Sequence, residues 1–205
     1  EGGRYTFEDI HYVADGEELT PAAQTSYARD AAFGYRHSDL KRWVEEKTGG
    51  RIPWSEVASI SLMDIREGGP ERVRTKLNDL NAGSACVVNA VAYKDLEVVV
   101  EGLLRAGNDG RQFLSRTAAS FVRVRAGITP RALLDRDEIV TDTGNAGLFI
   151  VGSYVPKTSD QLAALVAQED VTGLDRVVSC LLAEGSQVEE IARIGQIIND
   201  CIRTS

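Results

Sequence analysis

The residues of this chain best suited to chemistry sit in two short segments, each placed where an apolar run gives way to a helix pattern. In Gly147–Gln161, GLFIVGSYVPKTSDQ, the apolar run Leu148–Val151 reads as a buried strand that meets a tight Gly152-Ser153 turn, and an amphipathic helix pattern begins near Asp160. A strand end fixes the loop that follows it, and the free N–H groups of a first helical turn attract anions. Lys157 adds a point charge, and Thr158 and Ser159 add hydroxyl caps. The segment is not a P-loop: Pro156 rather than Gly precedes Lys157-Thr158, and Val151 stands where the earlier Gly belongs. An ordinary capped turn uses the same residues, so both readings stay open.

Ser115-Arg116-Thr117 is the second segment, between a short strand pattern at Gln112–Leu114 and a helix pattern at Thr117–Arg125. Ser115 or Thr117 can cap, and Arg116 presents a planar fork that matches carboxylate or phosphate. A capped helix with solvated arginines, Arg123 and Arg125 included, is the alternative. Two such turns carry more weight than one, because open α/β sheets bind ligands at the carboxyl ends of their strands.

Carboxylates supply a third kind of candidate. Asp64 follows the strand pattern VASISL, where a side chain can act as a general base, hold a metal or cap the next turn. Asp30, Glu67 and Asp95 are further candidates. The loop Gln24–Tyr35 brings Arg29 and Asp30 close in sequence to Arg36, as a surface ion pair or as a substrate-facing loop with Arg29 in contact. His11 and His37 are the only histidines, and no metal-ligand or Ser-His-Asp spacing includes them, so neither a metal site nor a His-dependent nucleophile is expected. Cys86, Cys180 and Cys201 form no CxxC and read as free thiols of a cytoplasmic protein.

The elements that must hold these groups alternate. RYTFEDIHYV (4–13) reads as a strand, with a turn at Asp15-Gly16 and a second short strand after it. A helix follows over Ser38–Thr48, with Ser38 as N-cap and Leu40, Trp43 and Val44 on one face. Then come a strand at Val57–Leu62, a helix at Glu71–Leu80 with Val73, Leu77 and Leu80 inward, and the apolar strand Ala85–Val91 with Asn89 as its one polar residue. The last run fits a parallel strand covered on both faces. With a helix at Lys94–Ala106, the short strand Gln112–Leu114 and the helix Thr117–Arg125, the middle reads β, α, β, α, β, α, which predicts an α/β fold with a mostly parallel sheet flanked by helices. Beyond the polar stretch Pro130–Ala146, Leu162, Leu165 and Val166 mark the inward face of one helix. Asp170–Leu182 reads as a strand, and Gln187–Ile202 as a strongly amphipathic helix with Ile191, Ile194 and Ile198 in register.

The 205 residues are 43% hydrophobic, enough for one large or two small cores, and no apolar run is long enough to span a membrane. A net charge of −8 argues against nonspecific nucleic-acid or anionic membrane partners, so an anionic ligand needs local basic groups. The opening EGGRYTFED is polar, with no signal peptide and no initiator Met, which fits a processed chain or a piece of a longer one.

Taken together, the segments FLSRTAASFVRVRAGI (113–128) and GLFIVGSYVPKTSDQL (147–162) resemble the four-carbon acid sugar kinases. GGRYTFEDIHYV (2–13), YARDAAFGYRHSDLKRWVEEKTGG (27–50) and VASISLMDIREGGP (57–70) agree in order. The resemblance implies a two-domain kinase segment that uses ATP and Mg²⁺ to phosphorylate threonate, erythronate or their oxo forms. Residues 1–135 would belong to an N-terminal sugar-acid-binding domain, 136–146 to a linker, and 147–205 to the start of a C-terminal nucleotide-binding domain. Gly152 and Ser153 map onto the family's ATP-contacting turn, with Lys157 and Thr158 in the same segment, while Arg116 and Arg29 are the candidates on the sugar-acid side. The family's Asp-Asp-x-Thr-Gly, Lys-x-Asp-Ser-Thr-x-Arg-Gly and C-terminal Gly-Gly motifs are not in this sequence. The catalytic base is therefore expected outside it, the segment alone is expected to be inactive, and apolar surface exposed by truncation allows a homo-oligomer. A noncatalytic α/β module that binds a small anion is the alternative.

Overall fold

RYTFEDIHYV folds back on itself instead of running as one strand. In the computed structural model Glu8 and Asp9 both take left-handed backbone conformations, at φ 51° and 62°. Two such residues in succession make the tight turn whose twist suits an antiparallel hairpin. Strand β1 (Arg4–Phe7) therefore pairs with β2 (Ile10–Asp15), Phe7 opposite Ile10 and Arg4 opposite Val13. The expected turn at Gly16 leads into β3 (Glu18–Pro21), which completes an antiparallel meander. The structure describes residues 3–140, 147–153, 155–174, 185 and 187–204. It divides into two compact units, Glu1–Arg131 and Ala132–Ser205.

The core of the first unit lies under a second sheet. Strand β4 (Ala58–Ile60) pairs in parallel with β5 (Cys86–Val88), Ile60 beside Val88. The α/β class holds, with the parallel pairing carried by β4 and β5 and the meander antiparallel. Helix α1 (Leu40–Lys47) precedes β4. Between β4 and β5 run α2 (Leu62–Arg66) and α3 (Gly69–Asn78), and α4 (Tyr93–Asn108) follows β5. Ile60, Ile65, Val73, Leu77, Val99 and Ala106 form the core cluster. The inward stripe of α4 is Asp95, Val99, Gly102 and Ala106, at the three- and four-residue spacing of one helix face. The α3 face Val73 and Leu77 meets it as read from the sequence, with Leu80 partly buried at the edge.

Three local expectations are corrected. Asp39, not Ser38, caps α1, accepting from the Lys41 and Arg42 amides at 2.8 and 3.1 Å. The Ser38 hydroxyl instead accepts from the Ala23 amide, tying the 3₁₀ turn after β3 to the start of α1. Gln112–Leu114 forms no strand: the Phe113 side chain packs on the core while Leu114 is fully exposed. Helix α5 is Ala119–Arg125, with Ala118 at the N-cap and no side-chain cap, so neither Ser115 nor Thr117 caps it.

The second unit contains α6 (Arg136–Ile139), α7 (Pro156–Val166) and α8 (Gln187–Thr204). Asp135 caps α6, accepting from the Glu138 amide at 3.0 Å while its own amide donates to the Glu138 carboxylate. The expected linker 136–146 thus begins as one helical turn, and its residues 141–146 lie outside the described ones. Leu148–Val151 is not a strand. Its side chains are 40–85% exposed, and among the described residues no strand pairs with it. The apolar face of α8 is half covered, with Ile194 and Ile198 partly buried and Ile191 exposed. The strand read within Asp170–Leu182 falls mostly on residues outside the described ones. No helix among the described residues is long and apolar enough to cross a membrane.

Acid should loosen the meander. His11 on β2 shares a 2.9 Å hydrogen bond between Nδ1 and Thr6 Oγ1, and burial, helped by the Arg4 charge, pushes its pKa below the ordinary value of 6.5. The folded ring resists a proton that the unfolded chain accepts, so stability is lost as pH falls below about 6.5. Urea midpoints between pH 7.5 and 5 should fall for the wild type and fall less for His11→Gln. Equal slopes would remove His11 from the account.

Candidate functional site

A polar seam crosses the sheet where the hairpin turn meets β4 and β5. Its centre is Asp9, which the left-handed turn aims at the strands. Asp9 Oδ1 accepts from Ser59 Oγ at 2.5 Å and from Asn89 Nδ2 at 2.8 Å, and Oδ2 lies 3.2 Å from Lys41 Nζ. Asn89 returns the contact, its Oδ1 accepting from the Asp9 amide at 2.8 Å, and its Nδ2 also donates to the Ile60 carbonyl at 3.0 Å. The hairpin itself is held on both sides: Thr6 and Ala90 exchange backbone hydrogen bonds, and the Leu40 amide donates to the Asp9 carbonyl.

Ser59 passes the seam to a second cluster. Its carbonyl accepts from Lys76 Nζ at 3.0 Å, and the same ammonium donates to Asp64 Oδ2 at 2.5 Å. Asp64 also accepts from Arg72 at Oδ1 and forms a capping box with Ser61 at the start of α2. Asp64 is therefore a cap and an ion-pair partner. Burial works to raise the carboxyl pKa of Asp9, but Ser59, Asn89 and Lys41 outweigh it and hold it below the usual value. Burial is likewise overcome at Asp64 by Lys76, Ser61 and Arg72, which hold it far below the usual carboxylate range.

Beyond the end of β5, Asp95 closes the sheet. It is 3% exposed, accepts from the Val91 and Ala92 amides at 3.0 Å, and takes a bidentate Arg66 fork at 2.8 and 3.0 Å. Burial again opposes these donors and loses, so Asp95 also titrates low. A general base needs a pKa near its working pH and a free lone pair aimed at substrate. All three carboxylates are strongly held anions, which suits positioning rather than proton abstraction. Burial pushes the Cys86 thiol up to about 11, so it is inert under neutral conditions. Among the described residues no group of His, Cys, Asp and Glu has the arrangement of a metal site.

The residues singled out by sequence fall as follows. Arg116 lies in the first unit, exposed, its guanidinium 4.7 Å from the centre of the Trp43 ring on α1. Arg29 is exposed at the end of the 3₁₀ turn Ser26–Arg29. Asp30 makes an Asx-type turn, accepting from the Ala32 and Phe33 amides, while the Arg36 amide meets the Glu46 carboxylate. Glu67 is the exposed C-cap of α2.

Gly152, Ser153, Lys157 and Thr158 lie in the second unit, with Gly152, Ser153 and Lys157 exposed. Helix α7 begins four residues earlier than expected, at Pro156, and Val155 is its N-cap without a side-chain cap. Thr158 and Ser159 are therefore not hydroxyl caps. Their amides donate to the Val155 carbonyl at 2.9 and 3.0 Å, and Pro156 has no N–H, which leaves the Lys157 amide as the first-turn donor for an anion.

Asp9, Ser59, Lys41 and Lys76 were missed by sequence reasoning. The one signal was Asn89, a lone amide in an apolar run. A shallow groove of about 500 Å³ lined by Arg51, Glu56, Asn81 and Ser84 sits at the amino ends of β4 and β5. That is the opposite end from the one where α/β sheets bind ligands.

Residues 1–125 match the family model described as "Sugar-binding N-terminal domain". Among solved structures, the crystal structure of Haemophilus influenzae protein HI1011, of family DUF1537, is 22% identical with a TM-score of 0.40, covering 50% of this chain and 23% of that one. The chain therefore spans less than a quarter of that protein. Comparison with curated proteins gives no match.

Proposed function

Because the chain belongs to the four-carbon acid sugar kinase family through its sugar-binding N-terminal domain, we propose that it forms the sugar-acid side and the first part of the nucleotide side of an ATP-dependent kinase. The observation that carries this is the family match across residues 1–125. In this reading residues 1–135 hold a four-carbon acid of the threonate or erythronate type, and 147–205 begin the nucleotide domain beyond the linker. Arg116 and Arg29 face the acid. Gly152, Ser153, Lys157 and Thr158 contact ATP, and Mg²⁺ would neutralise charge on its phosphates.

Phosphoryl transfer needs a substrate hydroxyl to attack the γ-phosphorus while the bond to the ADP oxygen breaks, and the hydroxyl proton must pass to a base. Asp9, Asp64 and Asp95 are engaged by Lys41, Lys76 and Arg66. They stabilise the scaffold, and the base is a group other than these three. The same engagement favours the second reading, an anion-binding module without chemistry.

Activity separates the two. The full-length gene product is expected to release ADP with threonate, erythronate or an oxo-tetronate, and not with five- or six-carbon acids. Ser153→Trp, which places an indole in the exposed turn, should raise the KM for ATP about tenfold or more while leaving that for the acid near its original value. No turnover of any four-carbon acid would reject the kinase, and an unchanged ATP KM would reject the role of the turn.

A further inference from the structure

The chain carries −8 overall, yet residues 110–134 hold five arginines and no carboxylate. Such a basic stretch in an acidic protein is a place for an anion. Two of its arginines lie over aromatic rings, as Arg4 and Arg42 do over Tyr27 and Trp54 elsewhere in this unit. Arg123 on α5 is half-buried with its guanidinium 4.1 Å from the centre of the Tyr93 ring, and Arg116 lies 4.7 Å from that of Trp43. Arg116 is exposed, and apart from Arg123 the partly buried cations of this unit rest on oxygen: Lys41 on Asp9, Lys76 on Asp64, Arg74 on Asp109, and Arg111 on the Leu80 carbonyl. Neither Arg116 nor Arg123 has a carboxylate within ion-pair distance among the described residues.

Stacking uses the face of a guanidinium and leaves its in-plane N–H donors free. It also fixes the plane, which lowers the entropy lost when a ligand docks. The two sites are joined by one short segment. Ser120 Oγ lies 3.4 Å from Tyr93 Oη, and Ser120 is four residues beyond Arg116, a span of at most about 14 Å. Tyr93 opens α4, directly after the carboxyl end of β5, where ligands of α/β sheets bind.

We propose that Arg116 and Arg123, backed by Trp43 and Tyr93, receive the carboxylate end of the sugar acid. This rests on the sugar-acid reading above, adds Arg123 to it and assigns the rings a positioning role. Arg125 is exposed and among the described residues has neither a ring nor a carboxylate against it, so it serves as the control.

Calorimetric titration of the full-length protein with threonate, erythronate and, separately, inorganic phosphate tests the assignment. Arg116→Met and Arg123→Met should each weaken binding of the acid by about tenfold or more, and Arg123→Lys should weaken it less. Arg125→Met should bind as the wild type does, and far-UV circular dichroism checks that each variant folds. In a Trp54→Phe background Trp43 is the one tryptophan left among these 205 residues, so its emission, read on the 205-residue chain, should shift on adding the acid and stay constant in Arg116→Met. Undiminished acid binding in both Met variants overturns the clamp and leaves the sugar-acid reading standing. Phosphate binding that follows the variants, without a response to any four-carbon acid, overturns the carboxylate assignment together with the reading it rests on.

Discussion

Asn89→Asp is expected to lower the unfolding free energy by about 3–5 kcal/mol at pH 7, the range for leaving a buried charge uncompensated. Asn89 is 1% exposed, and its amide nitrogen faces the Asp9 carboxylate, the Ser59 hydroxyl and the Ile60 carbonyl at 2.8, 3.2 and 3.0 Å. An aspartate there turns a donor into an acceptor and sets a second carboxylate against Asp9. One of the two must then titrate above the ordinary value of about 3.9. A group with a raised folded-state pKa gives stability that is present at low pH and lost as pH rises through that pKa. The deficit relative to wild type should therefore shrink between pH 7 and 5, while Asn89→Ala, which loses the donor without adding charge, should cost about 2–4 kcal/mol at both. Urea denaturation at the two pH values measures this. A deficit in Asn89→Asp that does not change with pH would mean that the two carboxyl groups do not interact.

That seam was half legible in the sequence. Asn89 stood out as the one amide in ACVVNAV, but its partner did not, because the break in alternation at Glu8-Asp9 carries no glycine to mark a turn. The hairpin exists because both residues accept the left-handed region, a local choice enforced by the bonds from Thr6 to Ala90 and from Leu40 to Asp9. Asp64 shows the reverse. Sequence offered a base, a metal ligand or a cap, and the reciprocal bonds with Ser61 decide for the cap. The α3 face was plain from spacing, since apolar residues at three- and four-residue intervals have one way to bury. Leu148–Val151 and Gln112–Leu114 failed for a shared reason: a strand is defined by its neighbour, which composition does not name. The rings behind Arg116 and Arg123 were hidden as well, because Trp43 and Tyr93 come from other elements and meet the arginines through tertiary packing alone.

The second large effect concerns a glycine, and two glycines of one helix should respond with opposite signs. A Cβ at Gly102 would stand 2.6 Å from Val73 Cβ and Cγ1 and 2.8 Å from the Pro70 carbonyl oxygen. Val73 is completely buried and Pro70 lies in the first turn of α3, so neither can yield without moving the helix. Alanine gains up to about 1 kcal/mol of helix propensity over glycine. Overpacking a tight core contact costs about 1–3 kcal/mol and occasionally more, and a clash with backbone belongs at the upper end. Gly102→Ala is therefore expected to destabilise by about 2 kcal/mol net. At Gly107, five residues on in the same helix, an added Cβ meets nothing within 4 Å. Gly107→Ala should gain stability, by about 0.5–1 kcal/mol. Trimming the obstacle gives the decisive comparison. Val73→Gly, which removes both the Cβ and the Cγ1 that stand 2.6 Å from the added methyl, should cost at least about 1 kcal/mol less in the Gly102→Ala background than it does alone, since contacting residues couple. Strict additivity of the two substitutions would show that α3 and α4 do not meet at Gly102, and that the size of its side chain does not set the spacing of the helices beneath β4 and β5.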